Sequence, residues 1–285
     1  MKTTALNYND LLERLIETAI IEDLGDGDHS SLSCIPESAE GKAQLIVKEN
    51  GILAGVEIAK IIFHKLDNKV IFQQLLSDGS PIKKGDIAFY VSGNTRSLLQ
   101  AERLVLNIMQ RMSGIATQTS VYVEKLKGLN TKILDTRKTT PGMRILDKAA
   151  VKLGGGENHR MGLYDMIMLK DNHIDFAGGI SNAILQTKKY LKETGKDLKI
   201  EVEARNLQEI REILAIGVDR IMLDNFTVQQ TRAAVELINN ACETESSGGI
   251  TLETIRSYAE CGVTYISIGA LTHQIKSLDL SLKAV

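Results

Sequence analysis

The stretch 200-IEVEARNLQEIREILAIGVDRIMLDN-225 contains two short apolar runs separated by a segment with helical spacing. The runs at 200–203 and 220–223 predict strands. Residues 207–216 between them repeat apolar side chains as an amphipathic helix does. A strand, a helix and a second strand in this order predict a unit of a parallel α/β sheet.

The same alternation continues beyond that stretch. Strand-like runs follow at 242–245 and 264–268, so the period is about 20–22 residues, and residues 228–238 have a helical pattern. An earlier apolar run lies at 132–134. Successive units of this kind predict a (β/α) barrel, with a doubly wound open sheet as the alternative. No G-x-G-x-x-G motif follows an early strand, which argues against that alternative.

The first half of the chain predicts a mixed α/β layer. The predicted elements are helices at 8–21 and 55–66 and strands at 44–48, 71–75 and 86–91. Residues 23–33 are rich in Gly, Asp and Ser and predict a loop. Residues 97–126 predict one or two helices, with a break near Ser113 and Gly114.

The composition is that of a globular protein. Of 285 residues, 43% are hydrophobic and 25% are charged, which excludes a wholly disordered chain. The net charge of -2 argues against a general binder of nucleic acid or of membrane surfaces. Neither an export signal nor a membrane-spanning run is visible, so a cytoplasmic location is expected. The three cysteines are scattered and predict neither a disulfide framework nor a zinc site.

Cationic side chains follow the strand predicted at 132–134. Arg137 and Lys138 come soon after it, where the carboxyl end of a barrel strand places functional groups. Such cations suit a ligand with carboxylates or phosphates. Arg144, Lys148 and Lys152 are spaced four apart and predict one solvated face of a helix.

Carboxylates mark the next two strands. Glu201 and Glu203 are two residues apart and point to the same face of a strand, and Asp224 ends the following strand. Carboxylates of this kind could hold Mg²⁺ together with substrate phosphates. The alternative is that they form ion pairs with the basic residues opposite, and both could hold at once.

Glycine-containing turns follow the last two strands, at 247–249 and 268–270. Loops at these positions of a barrel are a frequent phosphate site, because glycines let backbone N–H groups approach the anion. His159 lies beside Arg160 and is a candidate for a substrate hydrogen bond. No G-x-S-x-G elbow supports acyl transfer. The residues alone therefore predict a barrel that binds a phosphorylated ligand, a divalent metal and a second, multiply anionic ligand.

Several long motifs resemble those of the quinolinate phosphoribosyltransferases, and they occur in that family's order over nearly the whole chain. The matching segments are 101-AER-103, 110-QRMSGIAT-117, 135-DTRKTTPGMR-144, 152-KLGGGENHR-160, 166-MIMLKDNH-173, 201-EVE-203, 222-MLDNF-226, 246-SSGGI-250 and 269-GALTH-273. Gln274 departs from the serine usual in the family, beyond the phosphate loop.

The resemblance implies a fold and an activity. It implies an N-terminal α/β sandwich domain at 1–114, an incomplete TIM-like α/β barrel at 115–270, and a C-terminal segment at 271–285 that packs back on the N-terminal domain. It implies a homodimer or larger assembly, in which each N-terminal domain covers the partner's barrel mouth. The implied reaction joins quinolinate to 5-phosphoribosyl 1-pyrophosphate in the presence of Mg²⁺, forming nicotinate mononucleotide, CO₂ and pyrophosphate.

The family's roles fall on matching residues. The substrate-binding set is Arg103 (from the partner subunit), Thr136, Arg137, Lys138, His159, Arg160, Lys170, Glu201, Glu203, Asp224, Ser247, Gly248, Gly249, Ile268, Gly269 and Ala270. Within it, the catalytic residues are Lys138, Lys170, Glu203 and Asp224. Glu203 and Asp224 also contact the metal, mostly through substrate and water.

Three alternatives compete with this assignment. A molybdenum-transport-associated paralogue would use another acceptor, and the complete set of Thr136, Arg137, Lys138, His159 and Arg160 argues against it. A catalytically silent binding protein would lack some of the catalytic residues, yet all are present. An aldolase or isomerase barrel would leave the many cations without a purpose.

Overall fold

The computed structural model describes residues 7–285, and its first half alternates helices with short strands. Up to residue 125 the elements are α1 (Tyr8–Leu24), α2 (His29–Cys34), β1 (Glu40–Val47), β2 (Gly51–Ile52), α3 (Val56–Leu66), β3 (Ile71–Gln74), β4 (Pro81–Ile82), β5 (Ile87–Asn94) and α4 (Thr95–Lys125). Beyond residue 130 they are β6 (Lys132–Leu134), α5 (Arg144–Leu153), β7 (Ile167–Leu169), α6 (Asp171–Phe176), α7 (Ile180–Thr194), β8 (Ile200–Ala204), α8 (Leu207–Ile216), β9 (Arg220–Asp224), α9 (Val228–Ile238), β10 (Glu243–Ser247), α10 (Ile255–Ala259), β11 (Tyr265–Ser267), α11 (Ala270–His273) and β12 (Leu280–Ala284).

One sheet is antiparallel, with the strand order β12-β1-β5-β3. Ala43 of β1 pairs with Ala284 of β12 on one side and with Val91 of β5 on the other. The Phe63 ring of α3 lies 6.2 Å from the Phe89 ring of β5, so α3 packs on this sheet. The C-terminal strand is therefore part of the N-terminal sheet.

The other large sheet is parallel and has the order β6-β11-β10-β9-β8-β7. Its first and last strands along the chain, β6 and β11, are neighbours, and Ile133 pairs with Ile266. This cyclic order is that of a barrel, and a doubly wound sheet would instead reverse its order at an inner strand. Among the described residues, β6 and β7 do not pair, so the barrel is incomplete.

The chain divides into two compact units. Among the described residues, one contains 7–120 together with Thr139–Gly155 and Leu271–Val285, and the other contains Val121–Lys138 and Gly156–Ala270. The segment with α5 thus groups with the first unit, although the sequence assigned it to the barrel domain.

Packing within the first unit explains the position of α5. The Arg111 guanidinium of α4 forms two 2.8 Å hydrogen bonds to the Asp147 carboxylate of α5, which is fully buried. Lys148 beside it is also fully buried, so the predicted solvated face of Arg144, Lys148 and Lys152 is wrong for its central residue. The four-residue spacing alone could not reveal that α5 buries this side.

Two further predictions of secondary structure are wrong. Helix α4 continues through Ser113 and Gly114, where a break was expected. A Cβ atom on Gly114 would collide with the Lys276 carbonyl oxygen, so this glycine permits close packing and does not end the helix. The predicted loop at 23–33 contains α2, because the Asp28 carboxylate accepts the Ser31 N–H at 3.2 Å and caps a short helix.

No helix within residues 7–285 combines the length and the apolar character needed to cross a membrane.

Candidate active site

The carboxyl ends of the parallel strands bring most of the predicted site residues to one rim of the second unit. In the order of the strands, the rim carries Lys170 after β7, Glu203 in β8, Asp224 in β9, residues 247–249 at the end of β10, residues 268–270 after β11, and residues 136–138 after β6. Cations, carboxylates and glycine turns therefore occupy separate sectors of the rim.

Lys170, Glu203 and Asp224 form what we call the rim cluster. The Lys170 ammonium lies 3.5 Å from Glu203 Oε2, and the side chains of Glu203 and Asp224 are hydrogen-bonded to each other. Burial raises the pKa of Glu203, Asp224 adds to the rise, and Lys170 opposes it. Two carboxylates held together in this way are stabilised by a cation, and hard oxygen ligands are those that Mg²⁺ prefers. The donor set of Glu203 and Asp224 therefore fits the predicted metal.

Asn225 supports the rim cluster and was not among the predicted site residues. Its side-chain amide donates to Asp224 Oδ2 at 2.8 Å, and its backbone N–H donates to the Ser247 carbonyl at 2.9 Å. Its φ of 55° lies in the left-handed region, which asparagine tolerates better than most residues. An Asp-Asn pair directly after an apolar strand was the available sequence signal.

The loop after β10 has the backbone of an anion-binding turn. Gly248 and Gly249 both have left-handed φ angles, of 95° and 61°. A Cβ atom on Gly248 would overlap the Asn225 carboxamide, so this position requires glycine for two reasons. Successive N–H groups in such a turn form a concave site for anions. Across the neighbouring strands, the Ile268 N–H donates to the Leu134 carbonyl at 2.9 Å, which fixes the start of the second glycine turn.

The cationic sector is built on the segments after β6 and before β7. Arg137 and Lys138 are exposed, and the Lys138 N–H donates to Thr136 Oγ1 at 3.0 Å, so Thr136 shapes their turn. Arg160 is half-buried, and both burial and the charge of Arg137 lower the pKa of its guanidinium. Two cations that repel each other are stabilised by an anion that contacts both.

Below the rim lies what we call the buried cluster: His159, Glu201, Arg220 and Glu245. His159 Nε2 lies 2.9 Å from Glu201 Oε2 and 3.4 Å from Glu245 Oε2. Arg220 Nη1 lies 3.1 Å from Glu245 Oε2, and both carboxylates are fully buried. The sequence assigned His159 and Glu201 to substrate binding, whereas here both contact other protein side chains.

The geometry of the buried cluster indicates which of its atoms carry protons. The backbone N–H of Arg160 donates to His159 Nδ1 at 2.7 Å. The proton of the neutral imidazole is therefore on Nε2. Burial lowers the pKa of His159, but Glu201 and Glu245 outweigh it and raise that pKa to about 9. Burial and Glu245 also raise the pKa of Glu201. The cluster therefore retains one additional proton, and because Nδ1 accepts the Arg160 backbone N–H, that proton lies on the side of Nε2 and the Glu201 carboxylate.

Among residues 7–285, His159, Glu201 and Glu245 also have the spacing of a metal site, with ligand atoms within 4.8 Å of one another. Two contacts argue for an ion-pair network here. The Arg220 guanidinium already supplies positive charge to Glu245. In addition, a metal on Nε2 would need a proton on Nδ1, where the Arg160 N–H points.

Arg103 lies on α4 in the first unit and is exposed. Its predicted action on the site of a partner subunit stays a prediction.

Comparison with known proteins identifies the family. The sequence model "Quinolinate phosphoribosyl transferase, N-terminal domain" matches residues 28–113, and the model of the C-terminal domain matches residues 115–283. This chain belongs to the quinolinate phosphoribosyltransferase family. Membership agrees with the resemblance found in the sequence motifs.

Relatives within the quinolinate phosphoribosyltransferase family are similar over most of their length. The chain is 46% identical over 288 residues to the chloroplastic nicotinate-nucleotide pyrophosphorylase [carboxylating] of Arabidopsis thaliana, covering 95% of this chain and 82% of the relative. It is 45% identical over 273 residues to the probable enzyme of that name in Bacillus subtilis, covering 95% and 92%.

Solved structures of the family share the fold. The crystal structure of NadC from Streptococcus pyogenes has a TM-score of 0.92 at 39% identity and covers 99% of this chain and 100% of that one. The nicotinate-nucleotide pyrophosphorylase from Francisella tularensis has a TM-score of 0.91 at 37% identity, with 99% and 98% covered. These likenesses confirm the predicted incomplete α/β barrel with an N-terminal α/β domain.

Proposed function

We propose that this chain transfers the phosphoribosyl group of 5-phosphoribosyl 1-pyrophosphate to quinolinate, with loss of CO₂ and pyrophosphate, to form nicotinate mononucleotide for NAD synthesis. Family membership and the names of the relatives support this reaction. The observation that carries it is the order of side chains around the rim: cations beside carboxylates, and carboxylates beside glycine turns. That order matches a dianionic acceptor, a ribose and a 5′-phosphate in sequence.

The cationic sector binds the acceptor. Quinolinate carries two adjacent carboxylates, and the forked guanidiniums of Arg137 and Arg160 match such groups with paired hydrogen bonds. Lys138 adds a point charge. Lys170 follows β7 and lies 3.5 Å from Glu203, so it contacts the ribose side of the site while adding to the positive charge around quinolinate. Holding the 2-carboxylate and the ring nitrogen in place orients quinolinate for attack.

The rim carboxylates act on the ribose. The quinolinate nitrogen forms a bond to the anomeric carbon while the bond to pyrophosphate breaks and its electron pair leaves with pyrophosphate. Positive charge develops on the ribose, and the carboxylates of Glu203 and Asp224 stabilise it. Mg²⁺ held by these two residues would stabilise the negative charge of the leaving pyrophosphate.

Decarboxylation uses the product of the first step. The ring nitrogen is now quaternary, so its positive charge stabilises the electron pair left on C2 when the bond to the 2-carboxylate breaks, and a proton from solvent then takes up that pair. No protein nucleophile is needed. Backbone N–H groups at 247–249 and 268–270 hold the 5′-phosphate throughout.

The test is product formation by the purified full-length chain given quinolinate, phosphoribosyl pyrophosphate and Mg²⁺. We expect stoichiometric nicotinate mononucleotide and CO₂, no product from nicotinate in a parallel reaction, and loss of activity with a chelator. Bound phosphoribosyl pyrophosphate without product from either acid would contradict the assignment. That outcome would instead favour the molybdenum-associated paralogue or a silent phosphoribosyl-binding barrel.

The proposed assembly is a homodimer or larger oligomer in which Arg103 of one subunit completes the quinolinate site of another. Mixing an Arg103→Ala chain with an Arg137→Ala chain tests this directly. If Arg103 acts across an interface, hybrid sites with all groups intact form and activity returns. If activity does not return in verified hybrids, Arg103 acts within its own chain. The cytoplasmic location also stays a prediction.

A further inference from the structure

The incomplete barrel has a gap between β6 and β7, and the segment at 157–160 fills one side of it. The Glu157 N–H donates to the Ile133 carbonyl at 2.8 Å, and the Asp135 N–H donates to the Glu157 carbonyl at 3.2 Å. These two bonds form a parallel bridge along the edge of β6. The segment therefore acts as a very short additional strand.

The same segment reaches the other side of the gap through Arg160. Its Nη1 donates to the Met166 carbonyl at 3.1 Å, and Nη2 lies 3.7 Å from Met168 Sδ in β7. The Arg160 side chain thus spans from the bridge on β6 to the start of β7. Its direction depends on how firmly the backbone at 159 and 160 is held.

His159 holds that backbone from three directions. Its N–H donates to Asp135 Oδ1 at 2.8 Å, and Asp135 is fully buried. Its Nδ1 accepts the Arg160 N–H at 2.7 Å. Its Nε2 crosses the barrel interior to Glu201 and Glu245, on β8 and β10.

The far end of this arrangement is also fixed. Arg220 Nη1 lies 3.1 Å from Glu245, and Nη2 lies 2.9 Å from Glu243 Oε2 at the start of β10. The His159 side chain is only 5% exposed, and both of its ring nitrogens contact protein atoms. No ring nitrogen is left to bind a substrate.

We infer that His159 is a positioning residue: it closes the incomplete barrel and sets the direction of Arg160, and it does not itself contact quinolinate. The inference rests on the proposed function, because Arg160 is assigned there to the quinolinate carboxylates. Glu201 and Glu245 act through the same imidazole, and Asp135 acts through the backbone N–H of His159.

A double-mutant cycle tests the inference. His159→Ala is expected to raise the KM for quinolinate about 10- to 100-fold, because a small misplacement of a binding group is costly. In an Arg160→Ala background, the same change is expected to raise KM by less than about twofold, because the residue it positions is gone. Independent, multiplying effects would show that His159 binds quinolinate itself and would overturn the inference.

A conservative variant separates the imidazole's contacts from its bulk. The side-chain oxygen of His159→Asn lies close to the Nδ1 position and can accept the Arg160 N–H. We expect His159→Asn to keep a KM nearer the wild-type value than His159→Ala. Equal losses in both would contradict a role through Arg160. His29→Asn, a change at an exposed histidine, is the matched control and should leave KM unchanged.

Amide hydrogen exchange provides a readout that needs no activity. In the ligand-free full-length chain, His159→Ala should speed exchange of the Arg160 amide about tenfold or more, because its acceptor is removed. If the wild type makes no product yet the amide exchanges faster in the variant, the proposed function fails and the positioning geometry stands. If the wild type is active and the amide is unaffected, the positioning role fails.

Discussion

Glu201 and Glu203 lie two residues apart on β8 and point to the same side of the sheet, yet they have different surroundings. Glu201 is fully buried against His159 within the buried cluster. Glu203 lies at the rim, hydrogen-bonded to Asp224 and 3.5 Å from a Lys170 side chain that is 45% exposed. Two residues along the strand therefore separate a fully buried ion-pair network from a carboxylate at the rim whose side chain is 9% exposed.

This difference indicates that depth in the barrel, and not residue type, decides which carboxylates carry chemistry. In the buried cluster, Arg220 and His159 already neutralise the carboxylates. In the rim cluster, burial and mutual repulsion raise the pKa of Glu203, and a bound cation would relieve that repulsion. The buried cluster should therefore control stability and geometry, while the rim cluster should control the reaction rate.

The largest effect is expected from a substitution that removes one member of the buried cluster. Arg220→Met leaves Glu245 without its guanidinium, and removing one partner of a buried ion pair costs about 3–5 kcal/mol in the free energy of unfolding. Denaturant unfolding measures the change. The control is Lys189→Met, which removes an exposed pair with Glu193 and should cost less than about 1 kcal/mol. Equal costs at both positions would contradict a structural role for the buried cluster.

The next effect acts on the rim cluster. Asp224→Asn should lower kcat about 10²- to 10³-fold, as loss of one preorganised electrostatic group does. Its free energy of unfolding should stay close to that of the wild type, because Asp224 is half-buried at the rim. Steady-state kinetics and denaturant unfolding on the same preparation check both parts. Asp175→Asn, an exposed carboxylate paired with Arg205, is the control and should change neither quantity.

A smaller effect concerns the turn that follows β10. Gly248→Ala introduces a Cβ atom that meets the Asn225 carboxamide, at a φ of 95°. We expect a cost of about 1–3 kcal/mol in the free energy of unfolding and a higher KM for phosphoribosyl pyrophosphate. Gly217→Ala has a similar φ of 80° with open space around it, so it should lose some stability and leave that KM unchanged. An unchanged KM for phosphoribosyl pyrophosphate in Gly248→Ala would show that this turn does not bind the 5′-phosphate.

The last comparison is a pH dependence and concerns the titration of the buried cluster. The pKa of His159 is raised from 6.5 to about 9, so the folded state keeps a proton that the unfolded state releases. The stabilisation is complete below pH 6.5 and is lost as pH rises through about 9. The unfolding free energies of wild type and His159→Gln, measured from pH 6 to 10, should therefore converge at the alkaline end. A constant difference over that range would contradict the raised pKa.

The sequence predicted the barrel because periodic apolar runs report directly on parallel strands. The predicted helices at 207–216 and 228–238 agree with α8 and α9 to the residue. The rim was also predictable, because carboxyl ends of strands meet there whatever the details of packing. Glu203 and Asp224 were therefore assigned together before their contact could be seen.

Depth was not predictable from the sequence. Residues on one face of β8 share the same alternation, so Glu201 and Glu203 look equivalent until Arg220 and Glu245 are seen beside the first. For a related reason, the sequence did not predict that Lys148 is buried or that α4 continues through Gly114. Each depends on a segment distant in the chain, and local spacing carries no information about it.

The most direct measurement compares Glu201→Gln with Glu203→Gln, each assayed for kcat and for the KM of quinolinate. If depth separates the two roles, Glu203→Gln lowers kcat about 10²- to 10³-fold, whereas Glu201→Gln keeps kcat within about tenfold and acts mainly on KM. A comparable loss of kcat in both variants would show that Glu201 takes part in the reaction. That result would contradict the division between the buried cluster and the rim cluster.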